Sequence, residues 1–182
     1  AAGPAGDEWL VVSDNVGGRW GFDASGCLAW TCTGAGSRVD YVWRAGRLVG
    51  LAHERGGRVT VVWDQEADRI AGLEASDGRQ VSYRYDASGR LVGVEREGGR
   101  RSYEWDEGGR VRRVVDADGV VEVDNTYNQA GQVLTQRSPF GRVSHYTYLP
   151  GGVTQVADED GGRANTWIYD RWGRLVGMVD AN

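Results

Sequence analysis

The chain has 182 residues, 40% of them apolar, and a net charge of −5; no shift in composition marks a second domain. The acidic balance excludes nucleic acid as a main partner, because phosphate binding needs a basic surface. Glycine, at 29 residues, is about twice as common as usual, yet three prolines exclude a collagen pattern, and eight Trp and eight Tyr against one Met favour strands over helices.

Residues 1–19 read as a lead-in or a partial repeat. They hold neither the basic region nor the apolar core of a secretion signal. The chain lacks an initiator Met and stops midway through a phrase, so it is expected to be a piece of a longer protein whose targeting signals lie elsewhere. No apolar run approaches the ~20 residues of a membrane span.

From residue 20 to 182 one phrase returns about every 21 residues: an aromatic, Asp, two turn residues, Gly, Arg and an apolar residue. The aromatics in register are Phe22, Trp43, Trp63, Tyr85, Trp105, Tyr127, Tyr148 and Tyr169. The first copy runs Phe22-Asp23-Ala24-Ser25-Gly26. Cys27 and Cys32 follow; their spacing fits neither zinc nor redox chemistry, and leaves two thiols or a disulfide across a strand pair. Trp43-Arg44-Ala45-Gly46 has lost the Asp and one turn residue. Trp63-Asp64-Gln65-Glu66-Ala67-Asp68 lacks the Gly. The clearest copy is Tyr85-Asp86-Ala87-Ser88-Gly89-Arg90-Leu91, followed by Trp105-Asp106-Glu107-Gly108-Gly109-Arg110-Val111. Tyr127-Asn128-Gln129-Ala130-Gly131 is softened, Tyr148-Leu149-Pro150-Gly151-Gly152 replaces the Asp, and Tyr169-Asp170-Arg171-Trp172-Gly173-Arg174-Leu175 is again complete. The three departing turns should differ in conformation.

Each unit predicts two strands. Residues 80–85 alternate, with Val81, Tyr83 and Tyr85 on one face and Gln80, Ser82 and Arg84 on the other, which is the period of a strand. Asp86 opens the turn because its carboxylate can accept from the N–H two residues on, and Gly89 closes it because the backbone there needs positive φ. A return strand follows over 90–96. At the other end of the units Gly56-Gly57, Asp77-Gly78, Gly98-Gly99, Asp118-Gly119 and Gly161-Gly162 suit tight two-residue hairpins. Two strands of about seven residues and two short turns add up to the observed period. The expectation is all-β: a long antiparallel meander of about sixteen strands, in a sheet wide enough to curl. A fixed period of this size marks an architecture whose units bury their faces against their neighbours. The last strand, Leu175 to Val179, is expected to leave an edge open to self-association.

These phrases resemble the YD-repeat family, the tyrosine-aspartate repeats of Rhs proteins, which also occur in toxin-complex subunits and teneurins. The resemblance covers residues 20–179. It implies a curved, spiralling sheet within a hollow β-shell that encloses a C-terminal toxic domain in bacterial members, or serves adhesion in teneurins. It implies flanking repeats and a cargo domain as partners, and a secreted or cell-surface location for the whole protein. An Asp-Pro-type self-cleavage segment belongs to the bacterial shells; the prolines here, Pro4, Pro139 and Pro150, are not preceded by Asp, so that chemistry and the cargo are expected to lie outside this chain.

Sharper readings of single residues give way to structural ones. The Asp row (Asp23, Asp64, Asp86, Asp106, Asp170) is expected to cap turns rather than hold metal or catalyse. The Arg row (Arg47, Arg90, Arg110, Arg174) is expected to pair with neighbouring Asp along the turns. The aromatics stack within the sheet, with a glycan site on exposed rings as the alternative. Asp116-Ala117-Asp118-Gly119 and Asp158-Glu159-Asp160-Gly161 do not complete a calcium loop, and His53 and His145 stand apart from any nucleophile in a recognisable setting. No catalytic, cofactor or metal site is expected. The functional expectation is a non-enzymatic shell segment, with a surface module binding glycan or protein as the alternative.

Overall fold

A computed structural model describes residues 8–161 and 164–180. Every regular element in it is a strand, and the 17 strands belong to one sheet. The chain divides into two compact units, residues 1–84 with 95–97, and residues 85–94 with 98–182.

The first unit is a meander of β1 (Glu8–Ser13), β2 (Arg19–Asp23), β3 (Leu28–Cys32), β4 (Arg38–Arg44), β5 (Arg47–His53), β6 (Arg58–Asp64), β7 (Arg69–Ala75) and β8 (Gln80–Tyr85), each antiparallel to the next. Strand β9 (Leu91–Arg96) leads into the second unit. That unit continues with β10 (Gly99–Trp105), β11 (Val111–Val115), β12 (Val121–Tyr127), β13 (Val133–Arg137), β14 (Val143–Leu149), β15 (Val153–Asp158), β16 (Ala164–Tyr169) and β17 (Leu175–Val179), again in antiparallel succession. The seventeenth strand, one more than the approximate sixteen expected, is β1, within the lead-in.

Register assigns the faces. In the first unit Tyr41 lies opposite Leu51, Leu51 opposite Val59, Val61 opposite Leu73 and Leu73 opposite Val81, forming one apolar row. The reverse face sets Val42 against Gly50 and Gly72 against Val62 and Ser82. Gly72 is required there: a Cβ would lie 2.7 Å from the Val81 carbonyl oxygen. In the second unit Tyr103, Val114 and Val123 form an apolar row, whereas the opposite face of these strands carries Glu104, Arg113 and Asp124 in a line. Arg113 bridges to Asp124 at 2.9 Å and to Glu104 at 3.6 Å.

Little of this is deeply buried. Among the described residues the least exposed apolar side chains are Val61 at 6% and Trp30 at 7%, and no large side chain falls below 2%. The chain exposes 12740 Å², about half again the ~8,600 Å² expected of a globular protein of this mass.

The turns at the far end of the units depart from expectation. Two-residue hairpins were expected at Gly56-Gly57, Asp77-Gly78 and Asp118-Gly119. Instead His53 N donates to Gly57 O, Ala75 N to Arg79 O and Asp116 N to Val120 O, closing three-residue loops. These are the loops used at the aromatic end too. The three-residue form places one Gly in the left-handed region and adds a bulge, whose extra twist matches the strands. It also leaves a capping side chain in reach of the loop's N–H groups: Asp116 Oδ1 accepts from Asp118 N at 2.9 Å and Val120 N at 2.8 Å. Gly98 and Gly99 both have positive φ. Of the Gly161-Gly162 pair, Gly161 has φ 67° and Gly162 lies outside the described residues.

Candidate functional site

The recurrent phrase builds a small module at one end of the hairpins. In the Tyr85 copy, Asp86 Oδ1 accepts from Ser88 N and Arg90 N, both at 2.9 Å, and Gly89 at φ 80° returns its N–H to Asp86 O. Asp86 Oδ2 receives Arg90 Nε at 2.7 Å. The same carboxylate–guanidinium bond, also 2.7 Å, joins Asp106 to Arg110 and Asp170 to Arg174. These bonds hold the three carboxyls below the ordinary value of 3.8. The backbone N–H of Arg90 is the largest cause at Asp86, the guanidinium of Arg110 at Asp106, and the backbone N–H of Arg174 at Asp170. Asp23 caps its turn through Ser25 N and Cys27 N. Gly26, Gly109, Gly131 and Gly173 have φ between 73° and 81°.

The module is completed by the next hairpin. Trp43 Nε1 donates to Leu28 O, Trp63 Nε1 to Leu48 O and Trp105 Nε1 to Leu91 O, each at 2.8 Å. Tyr148 OH donates to Val133 O at 2.9 Å, and Tyr127 OH to Val111 O. Every acceptor is the apolar residue that closes the preceding phrase, 14–16 positions upstream. A register shift falls at the aromatic itself, as where Trp105 faces Val111 and Tyr127 faces Val133. Such a bulge interrupts the ladder and opens a carbonyl to a side-chain donor. Trp and Tyr can fill that role, and Phe cannot. Phe22, the one recurrent Phe, is also the first of the series.

The arginines reach forward in the same way. Arg47 lies 5.3 Å from the centre of the Trp63 ring, Arg90 6.0 Å from Trp105 and Arg110 4.7 Å from Tyr127, each the aromatic of the next phrase. Arg90 and Arg110 also donate to the carbonyls of Asp106 and Asn128. Arg47, whose own phrase has no Asp, pairs with Asp68 of the next turn at 2.6 Å. The ion pairs therefore close mainly within each turn, and a pair between turns forms where the local Asp is missing. Sequence reading assigned the aromatics to stacking, with a glycan site as the alternative, and missed their donor role; the preference for Trp and Tyr over Phe was its trace.

The contact between Ser37 and His53 does not make an activated nucleophile. Ser37 Oγ lies 2.8 Å from His53 Nε2, but His53 Nδ1 accepts from Arg55 N, which puts the ring proton on Nε2. The imidazole then donates to the serine and cannot take its proton. Among the described residues no group of three or more His, Cys, Asp or Glu could hold a metal ion, and no helix is long and apolar enough to cross a membrane. Cys27 and Cys32 are both free thiols.

The RHS Repeat family matches residues 63–101 and 85–121, the stretch with the most regular phrases. These matched residues carry Rhs repeats. No curated protein matches it. Among solved structures, this chain is similar in fold to one described as TcdB2-TccC3 without its hypervariable C-terminal region (TM-score 0.55, 14% identity, 94% of this chain covered). It is likewise similar to the Tc holotoxin pore of Photorhabdus luminescens carrying a TccC3 substitution, with a TM-score of 0.58, 15% identity and the same coverage. The chain spans 12% of the length of each of these chains.

Proposed function

We propose that this chain is a wall segment of an Rhs-type shell, which encloses a toxic domain carried elsewhere in a longer, secreted or surface-exposed protein. The observation that carries the reading is the linkage between successive hairpins. Trp43, Trp63, Trp105, Tyr127 and Tyr148 are each bonded to the hairpin before, and Trp63, Trp105 and Tyr127 also lie against the arginine of that hairpin, so the sheet extends by adding units. Such a wall acts by excluding water-borne proteases and partners from what lies behind it, and residues 20–182 contribute as about eight equivalent units. Limited proteolysis of the full-length natural product tests this. A cargo domain should resist cleavage until the sheet is unfolded, and then be lost quickly. Cleavage of the cargo at the same rate with the sheet intact would count against a shell.

A binding module is the second reading, favoured by one ring. Trp172 is 64% exposed, with Arg171 and Arg174 stacked 4.0 and 4.8 Å from its centre. A glycan array read by tryptophan fluorescence, with saturable binding lost in Trp172→Ala, would support it.

A further inference from the structure

The first phrase and the Tyr85 phrase build the same turn with one exchanged part. Phe22-Asp23-Ala24-Ser25-Gly26-Cys27-Leu28 matches Tyr85-Asp86-Ala87-Ser88-Gly89-Arg90-Leu91 except at the ring and at Cys27, which stands where Arg90 stands. The backbones agree. Asp23 Oδ1 accepts from Ser25 N and Cys27 N at 2.9 Å, as Asp86 Oδ1 does from Ser88 N and Arg90 N. Gly26 has φ 78° and Gly89 φ 80°. The next aromatic is also seated alike, with Trp43 Nε1 on Leu28 O and Trp105 Nε1 on Leu91 O, each at 2.8 Å. Between these parts a guanidinium joins carboxylate to ring. Arg90 bonds Asp86 Oδ2 at 2.7 Å and lies 6.0 Å from the centre of Trp105. Arg110 does the same with Asp106 at 2.7 Å and Tyr127 at 4.7 Å. Cys27 has neither the length nor the charge for this. Among the described residues no cation bonds Asp23 Oδ2 and none stands over the Trp43 ring.

We propose that Asp23 and Trp43 bind the side chain of an arginine from another polypeptide segment, at the place that Arg90 and Arg110 fill within their own phrases. A guanidinium suits the site better than an ammonium. Its planar fork can meet Asp23 Oδ2 edge-on while its face lies on the indole, whereas a compact, strongly hydrated ammonium meets the carboxylate and forgoes the stacking. Asp23, Cys27 and Trp43 are all half-buried, so solvent screens both contacts. A free guanidinium compound should therefore bind only weakly, with Kd on the order of 10 mM. A polypeptide that holds its arginine in place through further contacts raises the local concentration enough to fill the site, which is why the source is a segment rather than a small molecule. The inference does not rest on the shell reading.

Two-dimensional NMR of the 182-residue chain can follow the Trp43 indole N–H, assigned by its disappearance in Trp43→Phe. N-acetyl-arginine methylamide, titrated at constant ionic strength, should shift that signal and the amides of Ser25 and Cys27 saturably, with half the effect at about 10 mM. N-acetyl-lysine methylamide should bind at least about threefold more weakly. Cys27→Ser should respond as the parent does, because the thiol is not a contact. Cys27→Arg fills the site from within, so it should abolish the response and raise the melting temperature. Asp23→Asn keeps an oxygen to cap the turn and should weaken binding at least about threefold, which tests the site even where Cys27→Arg fails to fold. Absence of a saturable shift would overturn the inference. So would equal binding of the arginine and lysine probes, or a response unchanged in Asp23→Asn or in folded Cys27→Arg.

Discussion

The hairpins ending at Trp43 and Trp63 and the hairpin ending at Trp105 reach the same result through different turns. Trp105 is followed by the full Asp-x-x-Gly-Arg loop, with its carboxylate cap and internal ion pair. Trp43 is followed by a two-residue loop in which Ala45 (φ 49°) and Gly46 (φ 75°) both sit in the left-handed region. After Trp63, Asp68 takes the left-handed position at φ 49° while Asp64 caps Glu66 N and Ala67 N. All three indoles nevertheless hold the carbonyl of the preceding phrase at 2.8 Å. The turn is therefore replaceable, and the bond between hairpins is the constant. The phrase meets two separate requirements: a route around the corner, which several loops provide, and a donor at one point above the previous bulge, which only an aromatic with a polar tip provides.

The largest test is to remove the ring. Trp63→Ala and Trp105→Ala should each cost about 3 kcal/mol in urea unfolding, the lower end for losing a large ring from a half-buried place. The comparison predicts similar costs despite the different turns; a Trp63 loss under a third of the Trp105 loss would show that the Asp turn carries the stability after all. Next is Gly89→Val, at about 1–3 kcal/mol. The cost expected is the backbone strain of a β-branched residue held at φ 80°. An unchanged melting temperature would remove the turn assignment. Trp105→Phe keeps the ring and deletes the donor, and should cost about 1 kcal/mol, the net worth of one hydrogen bond. A neutral result would reduce the aromatic row to stacking.

The smallest effect is acid sensitivity. Asp86, Asp106 and Asp170 are held below 3.8 in the folded chain. Their contribution is full above that ordinary value and is lost as the pH falls through the lowered folded values. Thermal melts between about pH 5 and pH 2 should show stability falling with acid, and the triple Asp→Asn variant should fall less steeply. Parallel slopes for the two proteins would mean that the caps bind protons alike in both states.

Much of this was legible in the chain because it is local. Alternation over 80–85 sets out a strand, and the structure places Gln80, Ser82 and Arg84 outward and Val81, Tyr83 and Tyr85 half-buried. Gly89 after Asp86 announces a turn, because the chemistry of an Asp cap and a left-handed Gly spans four residues. The far-end loops were misjudged for the same reason in reverse: Asp77-Gly78 alone cannot say whether the closing bond skips two residues or three, since the partner strand's register decides it.

The sequence by itself determined the strand period, the all-β class and the places where the chain turns, each a property of neighbours a few bonds apart. Only the tertiary structure decided that a Trp indole meets a carbonyl some fifteen residues upstream and that Arg47 looks to Asp68 for want of its own Asp. Those outcomes depend on how bulges shift one strand against the next, and a register shift leaves no mark on either strand taken alone.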